Sequence, residues 1–459
     1  MITFNVFYII NLLKLVIYGL NLLSDMKEFI YINGKKSVEI ESIKSEQEGV
    51  DETIDCNIYI DSNLHKFDEG ISYDDKLKFA ISKKREKYAE FLNNQFENLV
   101  VLTGAGSSVG IGKDIQIAEE TKERKGRLLA QLWDDVKEVI SEETLHGFCE
   151  LVKYDDKIIK NEGEEEQYVK NLEKLLSLAN ISKNYVEHIP AEGKQKIVIE
   201  DVIKKIEDVI KTNCTLKLPE NAPHTIFIEK ITKRKVTLPR AKIFTLNYDT
   251  LFEQAGRKKN FTIIDGFSFS HPRTFSGRNF ELDIVSRNSS RVKEEDNFIQ
   301  KVFHLYKPHG SVDWTNEENQ IIQKNEPDKS LMIYPKDSKY ESSYEQPYFE
   351  MMSRFQQNVR NENTLLICIG FSFNDKHIVT AIVEALEQNP GFQLMVVNKG
   401  IDNWSKSFNP IFEAAKIHNN IVLVDEVFDD FAKYYPDLKS YNQEDAKKII
   451  LNLNNSKHE

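Results

Sequence analysis

The chain has 459 residues, 40% hydrophobic and 29% charged, the make-up of an ordinary globular protein with room for two or three compact units. Its 61 basic and 73 acidic residues leave a net charge of −12, spread along the chain, which argues against a broad nucleic-acid footprint and against direct nucleic-acid readout. Cys56, Cys149, Cys214 and Cys368 form no CxxC pair, so neither a disulfide framework nor a structural zinc site is expected, and a reducing cytoplasm is the simplest home.

In chain order, residues 2–23 come first: mostly apolar and almost long enough to span a bilayer. Lys14 near their middle opposes insertion by about 2.5–3.5 kcal/mol, and no signal-peptide cleavage pattern follows. A dispensable extension ahead of Met26 ranks first, an assembly helix second and a membrane anchor third. Residues 27–70 alternate weakly and predict a few peripheral strands. From Tyr73 to Asn98 the apolar spacing is helical and leads into a strand at Leu99–Leu102. Residues 113–215 are rich in Lys and Glu, with Leu128, Leu132, Val136, Ile140, Leu172, Leu175 and Leu176 at helical spacing. Ile199, Val202, Ile203, Ile206, Val209 and Ile210 continue this as one helix face. The charged run Lys157–Glu166 reads as a solvated surface, not a partner site.

Short apolar runs then return at Lys242–Leu246, Phe303–Tyr306, Leu365–Ile369, Gln393–Val397 and Ile421–Val424. Separated by helical segments, they predict an α/β fold: a Rossmann-like, doubly wound parallel sheet with a large helical insertion. The expected divisions are an extension at 1–25, an N-terminal segment at 26–95, a nucleotide-binding domain at 96–430 with its insert at about 113–240, and a helical tail at 431–459. Ligands of such sheets lie at the carboxyl ends of the strands, and five polar motifs fall there.

The first is Thr103-Gly-Ala-Gly-Ser-Ser-Val-Gly110, a turn suited to phosphate. It is not a Walker loop, because Ser107 and Asp114 stand where glycine and Ser or Thr are needed, and Gly110 comes one residue late for GxGxxG. The second, Thr245-Leu-Asn-Tyr-Asp249, presents Asn247 and Asp249 as a strand gives way to a helix, where each could cap the helix or hold sugar hydroxyls. In Lys307-Pro-His-Gly310, a proline and a glycine fix His309, the best candidate for proton transfer near neutrality. Gly370-Phe-Ser372 and a strand ending in Asn398 complete the set.

These five motifs, in this order, resemble the sirtuin superfamily of NAD-binding proteins. Ile333–Tyr340 and Gln346–Tyr348 are similar to its bacterial branch linked to phage defence. The resemblance covers roughly residues 95–430. It implies that Gly104, Ala105, Gly106 and Ser108 line the NAD pyrophosphate and adjoining ribose, with Gly370 and Ser372 on the phosphates and Asn398 on the adenosine ribose. Thr245, Asn247 and Asp249 would surround the nicotinamide ribose, with Asn247, His309 and Asp249 as the catalytic set. Two departures matter. Protein-deacylating sirtuins carry paired CxxC zinc ligands, which this chain lacks, and its Gly110-Ile111 is followed by Gly112-Lys-Asp instead of Pro-Asp-Phe-Arg. The resemblance therefore implies NAD as substrate, no metal, and hydrolysis of NAD in anti-phage immunity. It also implies a homo-oligomer and a HerA-type ATPase as possible partner. A deacylase and a non-catalytic NAD or ADP-ribose sensor are the alternatives.

Overall fold

The computed structural model describes residues 27–44, 53–94, 96–117, 120–122, 124–158, 167–183, 197–235, 237–285, 298–332, 346–401 and 407–437. The apolar stretch at 2–23, most of the charged run at 157–166, the segment at 333–340 and the tail beyond 437 lie outside the described residues.

Among the described residues the principal sheet has eleven strands. They are β1 (Lys27–Asn33), β2 (Lys36–Lys44), β3 (Thr53–Ile60), β4 (Asn63–Leu64), β5 (Asn98–Thr103) and β6 (Lys242–Thr245). β7 (Thr262–Ile264), β8 (Val302–Tyr306), β9 (Thr364–Ile369), β10 (Gln393–Asn398) and β11 (Ile421–Asp425) complete it. Their order is β7-β8-β6-β5-β9-β10-β11-β1-β2-β3-β4. The seven from β7 to β11 are mutually parallel. β1 joins β11 antiparallel through Tyr31↔Val424 and Ile32↔Leu423, and β2, β3 and β4 follow as an antiparallel meander. The N-terminal strands thus extend the main sheet.

Eleven helices are described: α1 (Tyr73–Leu92), α2 (Leu129–Ile140), α3 (Glu142–Leu151), α4 (Leu172–Ser182), α5 (Ile199–Cys214), α6 (Pro223–Ile231), α7 (Leu251–Lys258), α8 (Tyr348–Arg360), α9 (Lys376–Gln388), α10 (Asn409–Ala415) and α11 (Phe428–Tyr434). The central positions of the parallel strands are almost all apolar because both sheet faces are covered, and most of their polar residues fall at the strand ends. Val100, Leu102, Phe244, Leu366, Cys368, Leu394 and Val396 point into the layer of α8, α9 and α10. Their neighbours Leu99, Val101, Ile243, Leu365, Ile367, Met395 and Val397 point into the layer of α1, α6, α7 and α11. This two-residue alternation makes the sheet doubly wound, and each such side chain contributes roughly 1.5–3 kcal/mol by leaving water.

The helices α2 to α5 form the insert and have a core of their own. Leu132, Trp133, Val136, Leu172, Leu175, Leu176 and Ile206 are buried together. The α5 face read from the sequence is buried along its whole length, against the other insert helices. Among the described residues no helix is long and apolar enough to cross a membrane, and no group of three or more His, Cys, Asp or Glu is placed to hold a metal ion.

Candidate active site

After β5 the chain moves to β6 on one side and later returns to β9 on the other. The crevice at the carboxyl ends of β5 and β9 is therefore the topological switch point, where such sheets bind ligands. The two loops that leave these strands touch. Gly104 N–H donates to Ile369 O at 3.0 Å, Gly106 N–H to Gly370 O at 2.9 Å, and Gly370 N–H to Val397 O at 3.1 Å. A Cβ on Gly104 would stand 2.7 Å from Gly370 O, and one on Gly370 would stand 2.4 Å from the Gly106 carbonyl carbon. Gly370 also has φ +61°, which side chains disfavour. Only glycine fits at this crossing.

Ala105–Ser107 form a single tight turn, half-buried at Ala105 and exposed at Gly106. Ser107 and Ser108 N–H groups donate back to Gly104 and Ala105 carbonyls at 3.0 Å each. With the Gly104 and Gly106 N–H groups also engaged, four of the turn's donors are occupied within the protein. These four amides are therefore not free to donate to a phosphate.

The end of β6 is bound into the same turn. Thr245 is buried, and its hydroxyl accepts the Asn247 N–H at 3.2 Å. Asn247 Nδ2 donates to Gly104 O at 3.0 Å, Ser107 Oγ at 3.1 Å and Ser108 Oγ at 2.8 Å. Ser108 Oγ donates in turn to Asp249 Oδ2 at 2.7 Å, while Asp249 Oδ1 accepts the Leu251 N–H at the start of α7. Gly104, Ser108, Thr245, Asn247 and Asp249 are thus one hydrogen-bonded unit. Ser107 is a member that motif reading passed over.

Beyond β8, His309 is buried, with Nε2 3.2 Å from Asp375 Oδ2. The other Asp375 oxygen accepts the His377 and Ile378 N–H groups at 2.9 and 3.3 Å, capping α9. Burial alone would raise the Asp375 carboxyl. The His309 hydrogen bond and charge, with the two amides, outweigh it and hold the group below the ordinary carboxylate range. An ionised Asp375 therefore faces the imidazole, the arrangement that orients a histidine ring.

Lys307 links the two halves. It is buried, and its ammonium donates to Glu253 Oε1 at 3.0 Å, Ser311 Oγ at 2.7 Å, Tyr248 O at 3.4 Å and Asp249 O. The loop that carries Asn247 is thereby bound to the strand end that carries His309. Burial pushes the Glu253 carboxyl up to about 7, against the pull of Lys307 and with a push from Asp313.

The remaining candidates lie along the same edge. Ser372 is exposed in the loop after β9, and Phe373 beside it is buried with φ +57°, a left-handed conformation uncommon for a bulky residue. Asn398, at the end of β10, is buried and donates Nδ2 to Phe371 O at 2.7 Å, so its amide holds that loop in place. Asp375 was legible only as a helix cap: Asp followed by the apolar spacing of α9.

With this geometry in view, residues 241–417 match the family model described as a SIR2-like domain, which spans β6 to α10 and carries Asn247, Asp249, His309, Gly370, Ser372 and Asn398. No curated protein matches the chain. Among solved structures the chain is similar to a point mutant of a Sir2 homologue in complex with ADP-ribose, at 14% identity and TM-score 0.33, over 76% of this chain and 95% of that one. It is also similar to a Sir2 homologue in complex with NAD, at 15% identity and TM-score 0.32, over 76% of this chain and 93% of that one.

Proposed function

We propose that this chain is an NAD+ glycohydrolase that cleaves the nicotinamide N-glycosidic bond to give ADP-ribose and nicotinamide. The observation that carries the reading is the pairing of two polar units at one switch point: the Asn247 network on the β5 turn, and His309 against an ionised Asp375. The SIR2-like match over residues 241–417 supports it.

The reaction builds positive, oxocarbenium-like charge on the ribose while neutral nicotinamide leaves. It needs the ribose held rigidly and a proton acceptor near its hydroxyls or the incoming water. In this reading Thr245, Asn247 and Asp249 surround the nicotinamide ribose, and His309 accepts the proton with Asp375 opposite. Gly104, Ala105, Gly106, Ser108, Gly370 and Ser372 line the phosphates, and Asn398 secures the loop on the adenosine side. No step needs a metal.

The lack of paired CxxC motifs favours water over an acylated lysine as acceptor. A deacylase would instead consume NAD only with an acyl-lysine peptide and release O-acyl-ADP-ribose. The biological role we propose is anti-phage defence by NAD depletion in the cytoplasm, with a homo-oligomer or a HerA-type ATPase supplying the trigger. Nicotinamide release from NAD, measured alone and with the product of the neighbouring gene, tests the activity. Asn247→Ala and His309→Ala should each abolish it, and wild-type rates in both variants would rule the assignment out.

A further inference from the structure

The segment that follows His309 ties the site to a second, smaller sheet. Its three strands are Arg273–Thr274, Gln320–Gln323 and Trp314–Glu317 in spatial order, and the register sets Gln323 between Arg273 and Trp314. Buried Trp314 seats this sheet on the main core, its ring 5.0 Å from that of Phe267 and 6.4 Å from that of Phe275. Asp313, the residue before Trp314, makes polar contacts in two directions. On the sheet side its Oδ2 accepts Gln323 Nε2 at 2.7 Å, and its carbonyl accepts the Lys324 N–H at 2.8 Å. Gln323 Oε1 accepts in turn from Arg273 Nη1. The Arg273 guanidinium also donates to Asp265 Oδ1 at 2.7 Å and to Ser268 O at 3.0 Å, so it is held on three sides.

On the site side, Asp313 Oδ1 accepts the Ser311 hydroxyl at 2.5 Å. Ser311 is fully buried, and its Oγ also accepts Lys307 Nζ at 2.7 Å. A hydroxyl has one proton to give and two lone pairs. Given to Asp313, the proton leaves the lone pairs for the ammonium. Without that acceptor the proton turns to Tyr248 O, 3.3 Å away. Tyr248 O lies between Asn247 and Asp249, and it already accepts the Val312 N–H at 3.0 Å and Lys307 Nζ at 3.4 Å. Asp313 thus decides which way Ser311 points, and Ser311 helps to decide where Lys307 holds the Asn247 loop.

We propose that Asp313 is a positioning residue for NAD cleavage: through Ser311 and Lys307 it sets the Asn247–Asp249 loop against His309, with the small sheet as its anchor. The inference rests on the hydrolase reading. Asp313 acts at the ribose end of the site alone, because Gly370 and Asn398 are secured by bonds among the loops after β5, β9 and β10. Binding of the phosphates and adenosine is therefore preserved when Asp313 changes, while alignment for the reaction is lost.

The test uses the full chain with Asp313→Asn, which keeps the shape but offers one acceptor oxygen to two donors. Adding Gln323→Glu restores the contact in reverse, with the new amide donating to the new carboxylate. The readouts are kcat and KM for nicotinamide release from NAD, on variants shown to be folded by circular dichroism. The proposal predicts that Asp313→Asn lowers kcat about tenfold with KM within about twofold of wild type, and that the double variant recovers most of the loss. Ser311→Ala breaks the same link without touching the small sheet, keeps the test open where Asp313→Asn does not fold, and should show the same loss of kcat. With an active wild type, a wild-type kcat in folded Asp313→Asn or in Ser311→Ala overturns the proposal and leaves the hydrolase reading standing. A loss confined to KM, or a double variant no faster than the single, overturns it equally. A wild type that releases no nicotinamide overturns both.

Discussion

Lys307→Met is the sharpest test of how the site is held together. Lys307 and Glu253 are 1% and 7% exposed, and the ammonium serves Glu253, Ser311 and the carbonyls of Tyr248 and Asp249. Glu253 Oε2 already has no hydrogen-bond partner, so removing the lysine leaves the carboxylate wholly uncompensated. Breaking one side of a buried pair costs about 3–5 kcal/mol, whereas replacing both sides is often near neutral. Lys307→Met should therefore lose about 3–5 kcal/mol in urea unfolding followed by circular dichroism, and Lys307→Met with Glu253→Gln should recover most of it. The pH dependence has a definite sign. Glu253 has a folded pKa near 7, above the ordinary 4.5, so its folded form holds a proton more tightly than the unfolded chain. Stability from this group is full below about pH 4.5 and falls as pH rises through 7; without the lysine that window extends higher, so the variant suffers more at pH 8 than at pH 5. A single-variant loss under about 1 kcal/mol, or a double variant no better than the single, would refute the brace.

Other outcomes follow from the same geometry. Asn247→Ala should cost only about 1 kcal/mol of stability, because Ser107 and Ser108 keep Gly104 O and Asp249 as partners; nicotinamide release should nonetheless fall by at least about 10². Asp375→Asn keeps a capping oxygen for α9 but removes the charge facing His309, so the melting temperature should hold while nicotinamide release falls at least about tenfold. An unchanged rate would mean Asp375 is only a cap. Gly370→Ala forces a Cβ against Gly106 and should abolish NAD binding in calorimetry, whereas Gly70→Ala, also left-handed but in open space, should cost about 1–2 kcal/mol and leave binding intact. His224 is buried between Phe252 and Phe428 with neither ring nitrogen hydrogen-bonded, and burial holds its pKa down at about 4. The unfolded chain takes up that proton first, so about 3 kcal/mol should be lost as pH falls from about 6.5 to 4. His224→Phe should flatten that part of the acid-unfolding curve.

The parallel strands were legible because burial on both faces writes them as largely apolar runs, and β9 and β10 each extend the predicted strand by one residue at one end. β7 was not, since three residues, Thr262–Ile264, leave no pattern. The docking of β1 on β11 joins residues almost four hundred positions apart, which no local periodicity records. The same limit applies at the site. Asn247, His309 and Gly370 sit in motifs with rigid neighbours, so their residue types show. Asp375 looks like any N-cap, and its second role depends on a histidine 66 residues away. Such long-range partnerships emerge only when the chain is folded.

The central claim is that the Asn247 network and the His309–Asp375 pair direct water at the ribose of NAD. Nicotinamide release from NAD by the purified full chain, without any acylated peptide and with its genomic neighbour added in a parallel reaction, tests it most directly. The account predicts stoichiometric nicotinamide and ADP-ribose, lost in both Asn247→Ala and His309→Ala. NAD left intact under both conditions, or consumed only when acyl-lysine peptide is supplied, would contradict it.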